Sequence, residues 1–300
     1  MSSTNSDGNE NGKAVERMDT VEIDALVDRT LKLLKEANEQ NHAASHCGNG
    51  FNCYNQVFIA VGGTPGSGKS FIAKQVMKAI NKRNPNGDSS VPEAVVIGMD
   101  GYHLSRKLLE KKAEEGHEFR TIDGKQKLTF DELMTRRGAP FTYCPDKFID
   151  DLKQAKEKGE GSFPIYSREK HDPIANGVSI EQENKIIFVE GLYLLCLDDP
   201  EWAPLKDLWD DKWFIEVSME ETKNRLIQRH LKTWDDRKTK YWGGNDEAAA
   251  ARKAEANDMK NAEFVLEHSL QFANLIVVNE KILEDDDDNA DVDAAKESDR

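Results

Sequence analysis

The sequence is poor in cysteine and in positive charge, and each shortage excludes a class of protein. Its four cysteines are Cys47, Cys53, Cys144 and Cys196. They form no Cys-x-x-Cys pair, so neither a disulfide framework nor a zinc site is supported, which suits a reducing compartment. The 41 lysines and arginines are outnumbered by 56 aspartates and glutamates, which gives a net charge of −15. Because so negative a surface repels a phosphate backbone, we expect no nucleic-acid partner.

Long apolar segments are also missing. No run reaches the roughly 18 residues that a membrane span needs, and the longest candidate, 186-IIFVEGLYLLCL-197, is interrupted by Glu190 and Gly191. The first twenty residues are polar, carry four acids and lack the apolar core of a secretory signal, and the acids argue against a mitochondrial transit peptide. We therefore expect a cytoplasmic protein with no membrane partner.

Five short apolar runs alternate with segments of helical spacing. The runs are 57-VFIAV-61, 94-AVVIGM-99, 186-IIFV-189, 213-WFIEV-217 and 274-NLIVV-278. Nearly continuous apolar residues are typical of strands buried on both faces, and strands that alternate with helices form a parallel sheet. The sequence therefore predicts an α/β fold with a parallel sheet of about five strands covered by helices. Ligands of such sheets bind at the carboxyl ends of the strands.

A single domain is predicted between two polar ends. We expect residues 1–18 to be disordered, and residues 284–300, rich in aspartate, to form an acidic disordered tail. The domain spans residues 19–283. The stretch at about 101–185 is too long for a crossover between strands and has helices of its own, so we predict a helical cap over a substrate. The charged stretch at about 225–255 is predicted to be a mobile lid.

A glycine-rich turn joins the first of these strands to a helix. The turn 63-GTPGSGKS-70 matches the pattern G-x-x-x-x-G-K-[ST] in the required strand and helix context. Its glycines let backbone N–H groups surround phosphate oxygens, and the helix presents its positive end to the same anion. Lys69 is expected to reach the terminal phosphates, and the Ser70 hydroxyl to hold Mg²⁺. The predicted nucleotide-binding residues are Gly63, Thr64, Pro65, Gly66, Ser67, Gly68, Lys69, Ser70 and Phe71.

Two acids are predicted at the same edge of the sheet. Asp100 follows the second strand, and Glu190 ends the third. A carboxylate there could accept a proton from an attacking hydroxyl or hold the water shell of a metal. Two acids beside one triphosphate are costly unless a metal or a proton relay uses them. We therefore assign a catalytic role to Asp100, as base or metal-shell ligand, and a metal-binding role to Glu190 with Ser70.

Arg225 and Arg229 lie four residues apart on a predicted helix and share one of its faces. Arginines over a γ-phosphate neutralise charge in the transition state, so we assign both a catalytic role beside Lys69. A solvated basic face explains any single arginine about as well. Guanine recognition is not expected, because 279-NEKI-282 and 81-NKRN-84 both depart from the Asn-Lys-x-Asp of GTPase switches.

Six motifs, in this order, resemble those of the uridine kinase, phosphoribulokinase and bacterial pantothenate kinase group of P-loop small-molecule kinases. They are 63-GTPGSGKS-70, 99-MDGYH-103, 136-RRGAPFTYCP-145, 164-PIYSREKHDP-173, 188-FVEGLYLL-195 and 225-RLIQRH-230. The resemblance covers about residues 20–280 and is closest to the uncharacterised uridine kinase-like branch. It implies a P-loop NTPase fold, use of ATP and Mg²⁺, Asp100 as base for a substrate hydroxyl, and Glu190 near the metal.

The same resemblance implies an acceptor pocket lined by Arg136, Arg137, Tyr166, Arg168, His171 and Asp172. True uridine kinases carry Ser or Asp, Phe and Tyr after the strand-end Asp where this chain has Gly-Tyr-His, so uridine is not implied. Asn257, Asp258 and Asn261 resemble an Asn-Asp…Asn-Ala stretch of the closest branch, with no role implied.

Two functions agree with these residues. The first is an ATP- and Mg²⁺-dependent kinase that phosphorylates a hydroxyl of a small metabolite. The second is a nucleotide-gated binding protein or an ATPase without a small-molecule acceptor. The large insert, rimmed by Arg136, Arg168 and His171, favours the kinase because a switch needs no acceptor pocket. Neither the acceptor nor the oligomeric state follows from the sequence.

Overall fold

The computed structural model describes residues 15–44, 54–83, 93–122 and 124–280. Residues 1–14 of the predicted disordered N terminus and the predicted acidic tail lie outside these ranges. The elements, in chain order, are β1 (Glu16–Met18), α1 (Ile23–Ala44), β2 (Val57–Gly63), α2 (Lys69–Lys82), β3 (Glu93–Gly98), α3 (Arg106–Glu114), β4 (Glu118–Thr121), β5 (Gly124–Lys127), α4 (Phe130–Thr135), α5 (Pro145–Lys158), β6 (Gly161–Ser167), β7 (Asp172–Ile180), β8 (Asn184–Glu190), β9 (Asp211–Glu216), α6 (Met219–Lys232), α7 (Asp236–Trp242), α8 (Glu247–Lys253), a π-helical turn (Ala254–Asp258), α9 (Met259–Ser269) and β10 (Leu275–Val278).

The central sheet has the strand order β1-β10-β9-β2-β8-β3, and every neighbouring pair is parallel. The predicted parallel α/β sheet is confirmed, with one strand more than expected. That strand is β1, so disorder was wrong for residues 16–18. The segment is polar, but its backbone pairs with β10 at the edge of the sheet, and its side chains Glu16 and Arg17 form ion pairs with Arg29 and Glu216. Such distant partners leave no local pattern.

The sheet is buried on both faces because its inner strands are apolar at successive positions. Along β2, Phe58 contributes to the core on one face, and its neighbour Ile59 to the core on the other. Helices α1 and α2 cover the second face, while α5 and α9 cover the first. All seven residues of β2 are buried. The central strand is therefore held on both sides, and the turn that follows it starts from a fixed position.

The insert between β3 and β8 is not purely helical, contrary to the expectation. Besides α3, α4 and α5, it contains the antiparallel hairpins β4-β5 and β6-β7. Strand β5 reads GKQK and has no apolar residue, and β7 contains a proline and a glycine, so neither shows strand periodicity. Within the described ranges, no helix is both long and apolar enough to cross a bilayer.

Asp211, the first residue of β9, anchors this strand. Its carboxylate accepts hydrogen bonds from Arg29 Nε at 2.6 Å and Nη2 at 3.1 Å, and from the Trp213 indole at 2.8 Å. Its side chain is only 6% exposed. These bonds tie the buried strand to α1.

Replacement of Asp211 by Ala should lower the free energy of unfolding by about 3 kcal/mol, because it leaves the buried Trp213 N–H without an acceptor and leaves the half-buried Arg29 guanidinium with Glu16 alone. Urea unfolding followed by circular dichroism measures the change. Asp207→Ala is the matched control: that side chain is exposed, and we expect a change within about 0.5 kcal/mol. Equal losses in the two variants would contradict the anchoring role.

Candidate functional site

The turn between β2 and α2 is shaped for backbone contacts. Gly63 and Gly68 have φ angles of 151° and 87°, which favour glycine. A Cβ atom at Gly63 would lie 2.6 Å from the Ile215 carbonyl oxygen, and one at Gly68 would lie 2.6 Å from Asn279 Nδ2. Helix α2 begins at Lys69 without a side-chain cap, so its first N–H groups can donate to an anion. The turn therefore fits the phosphate cradle predicted from its sequence.

Lys69 is a buried cation next to this turn. Its ammonium group donates to the Thr64 carbonyl oxygen at 3.1 Å, and the residue is 8% exposed. Burial lowers the pKa of Lys69 below its ordinary value, although Glu190 and Asp100 oppose that shift and Arg229 adds to it. The ammonium group thus lies in the field of both predicted acids and of the predicted lid arginine.

The two acids meet at the sheet edge, as predicted. Gly98 at the end of β3 pairs with Glu190 at the end of β8, and a Cβ at Gly98 would lie 3.1 Å from Glu190 Oε1. Asp100 was predicted at a strand end, but it lies in a 3₁₀ turn, Met99–Tyr102, because β3 stops two residues earlier. Burial and the nearby Asp100 charge raise the pKa of Glu190. The pair forms a site of concentrated negative charge.

Ser70 and Glu190 fit the predicted magnesium site. The Ser70 hydroxyl donates to Glu190 Oε2 at 2.9 Å, so a hydroxyl and a carboxylate oxygen lie side by side next to the turn. Within the described residues there is no group of three or more His, Cys, Asp or Glu side chains that could hold a metal. Mg²⁺ is usually held by one or two protein oxygens together with water and substrate phosphates. The donors present suit that pattern.

An aromatic cluster adjoins Asp100. The Tyr143 hydroxyl donates to Asp100 Oδ1 at 3.0 Å, and the His103 ring lies between Tyr143 and Tyr166, with centroid distances of 4.0 and 4.9 Å. Burial lowers the pKa of His103, against the effect of Asp100. Sequence reasoning did not select His103 or Tyr143 for the site. Both lie inside the quoted motifs, and only the fold shows that they stack.

Three predicted acceptor residues come together at this aromatic cluster. Arg137 Nη2 donates to Asp172 Oδ1 at 3.1 Å, and the Arg137 guanidinium carbon lies 5.8 Å from the centre of the Tyr166 ring. The backbone N–H of Arg106 also donates to Asp172 Oδ1, at 2.9 Å. The cluster therefore combines stacked aromatic rings with one buried guanidinium.

The other predicted acceptor residues lie elsewhere. Arg136 stacks over Phe141 at 4.8 Å and approaches Gln126 of β5, so it faces the first hairpin. His171 contacts Asp235 of the lid at 3.4 Å, and Arg168 is exposed just after β6. Their grouping with Arg137 reflected shared motifs, and neighbours in sequence point to different sides of a loop.

The two lid arginines differ in their surroundings. Arg225 donates to Glu221 at 2.7 Å and to the Asn279 carbonyl oxygen at 2.8 Å, which fixes α6 to the segment after β10. Arg229 is exposed, and its charge acts on Lys69. A catalytic role for either stays a prediction, and the geometry favours Arg229.

The π-helical turn links the lid to the acceptor side. Asn257 Nδ2 donates to the Arg137 carbonyl oxygen at 2.9 Å, and His230 Nε2 lies 2.6 Å from Asp258 Oδ2. Burial alone would raise the pKa of Asp258, but Lys253 and His230 outweigh it and hold that pKa below its usual range. Asn261 packs near Gly138. The Asn-Asp…Asn stretch, which had no assigned role, thus joins two parts of the site.

Known proteins resemble this chain over most of its length. The model of the Phosphoribulokinase / Uridine kinase family matches residues 58–238. "Putative uridine kinase C227.14" of Schizosaccharomyces pombe is 28% identical over 84% of this chain and 88% of that protein. "Uncharacterized protein YggC" of Escherichia coli is 30% identical over 71% of this chain and 73% of that protein. A solved structure, "putative fructose transport system kinase" of Silicibacter sp. TM1040, has a TM-score of 0.63 and 25% identity, and covers 85% of this chain and 98% of that one.

Glu190→Gln should stabilise the ligand-free protein at neutral pH by about 1 kcal/mol, a usual gain when strain at a functional site is relieved. The pKa of Glu190 is raised on folding, so the folded state binds more protons, and its stability falls as pH rises from the ordinary glutamate value through the folded one. The free energy of unfolding of the variant should not fall over this pH range.

Urea titrations at about pH 4 and about pH 7.5, on either side of the shift, measure it. Glu263→Gln, at an exposed position on α9, is the matched control and should leave the pH profile of the wild type intact. A wild-type profile in Glu190→Gln would show that no charge repulsion is stored at this edge.

Proposed function

Because the chain belongs to the Phosphoribulokinase / Uridine kinase family, we propose that it is a kinase that transfers the γ-phosphoryl group of ATP to a hydroxyl of a small metabolite. The observation that carries this proposal is the meeting of four side chains at the carboxyl ends of the strands, beside an aromatic cluster. They are Lys69, Ser70, Asp100 and Glu190.

The nucleotide side of the proposed site consists of the turn, Lys69, Ser70 and Glu190. Backbone N–H groups of the turn and the Lys69 ammonium would bind the phosphates. Ser70 and Glu190 would hold Mg²⁺, which neutralises charge on the phosphates when bound. Burial of Lys69 strengthens its attraction for phosphate, because few water molecules screen it.

The acceptor side centres on Asp100. The acceptor oxygen attacks the γ-phosphorus and its proton passes to the Asp100 carboxylate, while the bond to the bridging oxygen breaks and ADP leaves. Tyr143 donates to Oδ1 and leaves Oδ2 for that proton. Burial raises the pKa of Tyr143 well above its ordinary value, so the phenol keeps the proton it donates. Arg229 would offset charge on the transferred group.

The competing function is a nucleotide-gated binding protein or an ATPase without an acceptor. A switch needs no acceptor site beside the base, and the stack of Tyr143, His103 and Tyr166 next to Asp100 supports the kinase. The names of the relatives mention uridine and fructose, and the present residues do not choose between such acceptors. We further propose a cytoplasmic location and a small-molecule partner, in keeping with the acidic composition.

Asp100→Asn should reduce phosphoryl transfer by about 10² to 10⁴-fold, the usual contribution of a general base, while magnesium–ATP still binds. Lys69→Ala should remove the binding heat as well, because it deletes the buried cation beside the turn. A pooled screen of hydroxylated metabolites, read by ADP release and mass spectrometry, measures transfer, and calorimetry measures binding.

The matched controls are Asp150→Asn and Lys153→Ala, both at exposed positions on α5, and both should keep wild-type rates. Full turnover by Asp100→Asn on the identified acceptor would remove Asp100 from the mechanism. An ATP consumption rate that no metabolite changes, with no new phosphoester, would favour the ATPase.

A further inference from the structure

Arg137 holds a buried positive charge with only part of its hydrogen-bonding capacity used. Its side chain is 10% exposed, and Nη2 donates to Asp172 Oδ1. Nε and Nη1 are buried and have no hydrogen-bond partner among the described residues. Buried donors on a charged group are costly when they meet no acceptor, so such an arrangement needs an explanation.

Asp172 does not fully compensate this charge. The same oxygen, Oδ1, also accepts the backbone N–H of Arg106, and the carboxylate is partly exposed. On its other side the guanidinium meets the Tyr166 ring rather than a second acid. Arg137 therefore keeps a charge that no second carboxylate of the described residues compensates, with Tyr166 as its other neighbour.

The guanidinium lies on the acceptor side of the site. A continuous series of contacts leads from Arg137 to Tyr166, from there to His103 and Tyr143, and then to Asp100. The charge of Arg137 also acts on His103, whose pKa is lowered first by burial. A small molecule bound along this series of side chains would thus meet the proposed base at one end and Arg137 towards the other.

Further cations lie close to one another on the lid, in an otherwise acidic protein. Burial lowers the pKa of Lys238 to about 8, and the charges of Lys253, Arg229 and Arg237 add to that shift against Asp235. The pKa of His171, next to Asp172 in the chain, is lowered by burial and then by Arg237 and Lys238. Cations that crowd one another in this way are stabilised when an anion binds among them.

From these contacts we propose that the acceptor is a hydroxylated metabolite with an oxyanion, either a carboxylate or a phosphate, and that Arg137 binds this oxyanion. The inference rests on the proposed kinase function and adds its substrate class. The planar guanidinium, with donors on several nitrogens, suits both oxyanions. The polyphosphate of ATP lies by proposal at the turn and at Lys69, so it does not serve Arg137. A neutral acceptor could accept hydrogen bonds from Nε and Nη1 through a hydroxyl or carbonyl oxygen, but it would leave the buried positive charge without a second negative partner.

The test compares acceptors that share a carbon skeleton and differ in charge, with the full chain and magnesium–ATP. One set is glycerol, glycerate and glycerol 3-phosphate, and a second is ribose, ribonate and ribose 5-phosphate, with uridine as a neutral nucleoside. We expect one acidic member to exceed its neutral counterpart in kcat/KM by about 100-fold or more, as for a site whose buried polar groups need a partner. The carboxylates and phosphates show which oxyanion is used.

A phosphoester formed best from a neutral member would overturn the inference and leave the kinase function intact. Failure of every acceptor, including a wider metabolite pool, would overturn the kinase function itself and the inference with it.

Arg137→Gln supplies the residue-level test. It should lower kcat/KM for the acidic acceptor by about 100-fold, mostly through KM, and change kcat/KM for a neutral acceptor far less. Arg137→Lys keeps the charge, guards against a folding defect, and should recover part of the loss. Arg83→Gln, at the far end of α2 beside Asp24 and Asp28, is the control and should keep wild-type values. Equal losses on both acceptors in a folded Arg137→Gln protein would overturn the assignment.

Discussion

A buried ammonium group in the electrostatic field of two carboxylates is the interaction on which this site depends. Lys69 is 8% exposed, and the charges of Glu190 and Asp100 oppose the fall in its pKa that burial causes. The register of three strands brings the groups together, since Glu190 pairs with Val61 on one side and with Gly98 on the other. The sheet therefore keeps a cation, a pair of acids and a turn that fits phosphate together at the carboxyl ends of its strands. The apolar cores on both faces of the sheet outweigh the free-energy cost of holding these charges together.

Hydrogen bonds join the proposed nucleotide and acceptor halves of this site. Two residues of the turn Ala254–Asp258 make these bonds. Asp258 is hydrogen-bonded to His230 of α6, and Asn257 donates to the backbone carbonyl oxygen of Arg137. Irregular π-helical turns of this kind frequently occur at functional sites because they redirect side chains within a helix. A displacement of α6 relative to the glycine-rich turn would therefore also displace the segment that carries Arg137. An enzyme that must bind two substrates before it reacts benefits from such a connection.

The sequence predicted those features that depend on local pattern. The turn, its helix and both edge acids followed from glycine spacing and from apolar runs that end in a carboxylate. Strand β1 did not, because its order depends on β10 at the other end of the chain. The aromatic cluster was missed for the same reason: the stacking of His103 between Tyr143 and Tyr166 depends on how two loops meet strand β6. Long-range packing decides which residues of a motif face the site.

Charge explains why a protein with a net charge of −15 still suits an anionic acceptor. The exposed acids are screened over about 10 Å at moderate ionic strength, whereas a buried guanidinium acts at short range and with little screening. The acidic surface thus disfavours long polyanions, which would have to lie along it. A small anion bound at the proposed acceptor site interacts mainly with Arg137 and with the cations of the lid. Discrimination by size and discrimination by charge therefore follow from the same distribution of charges.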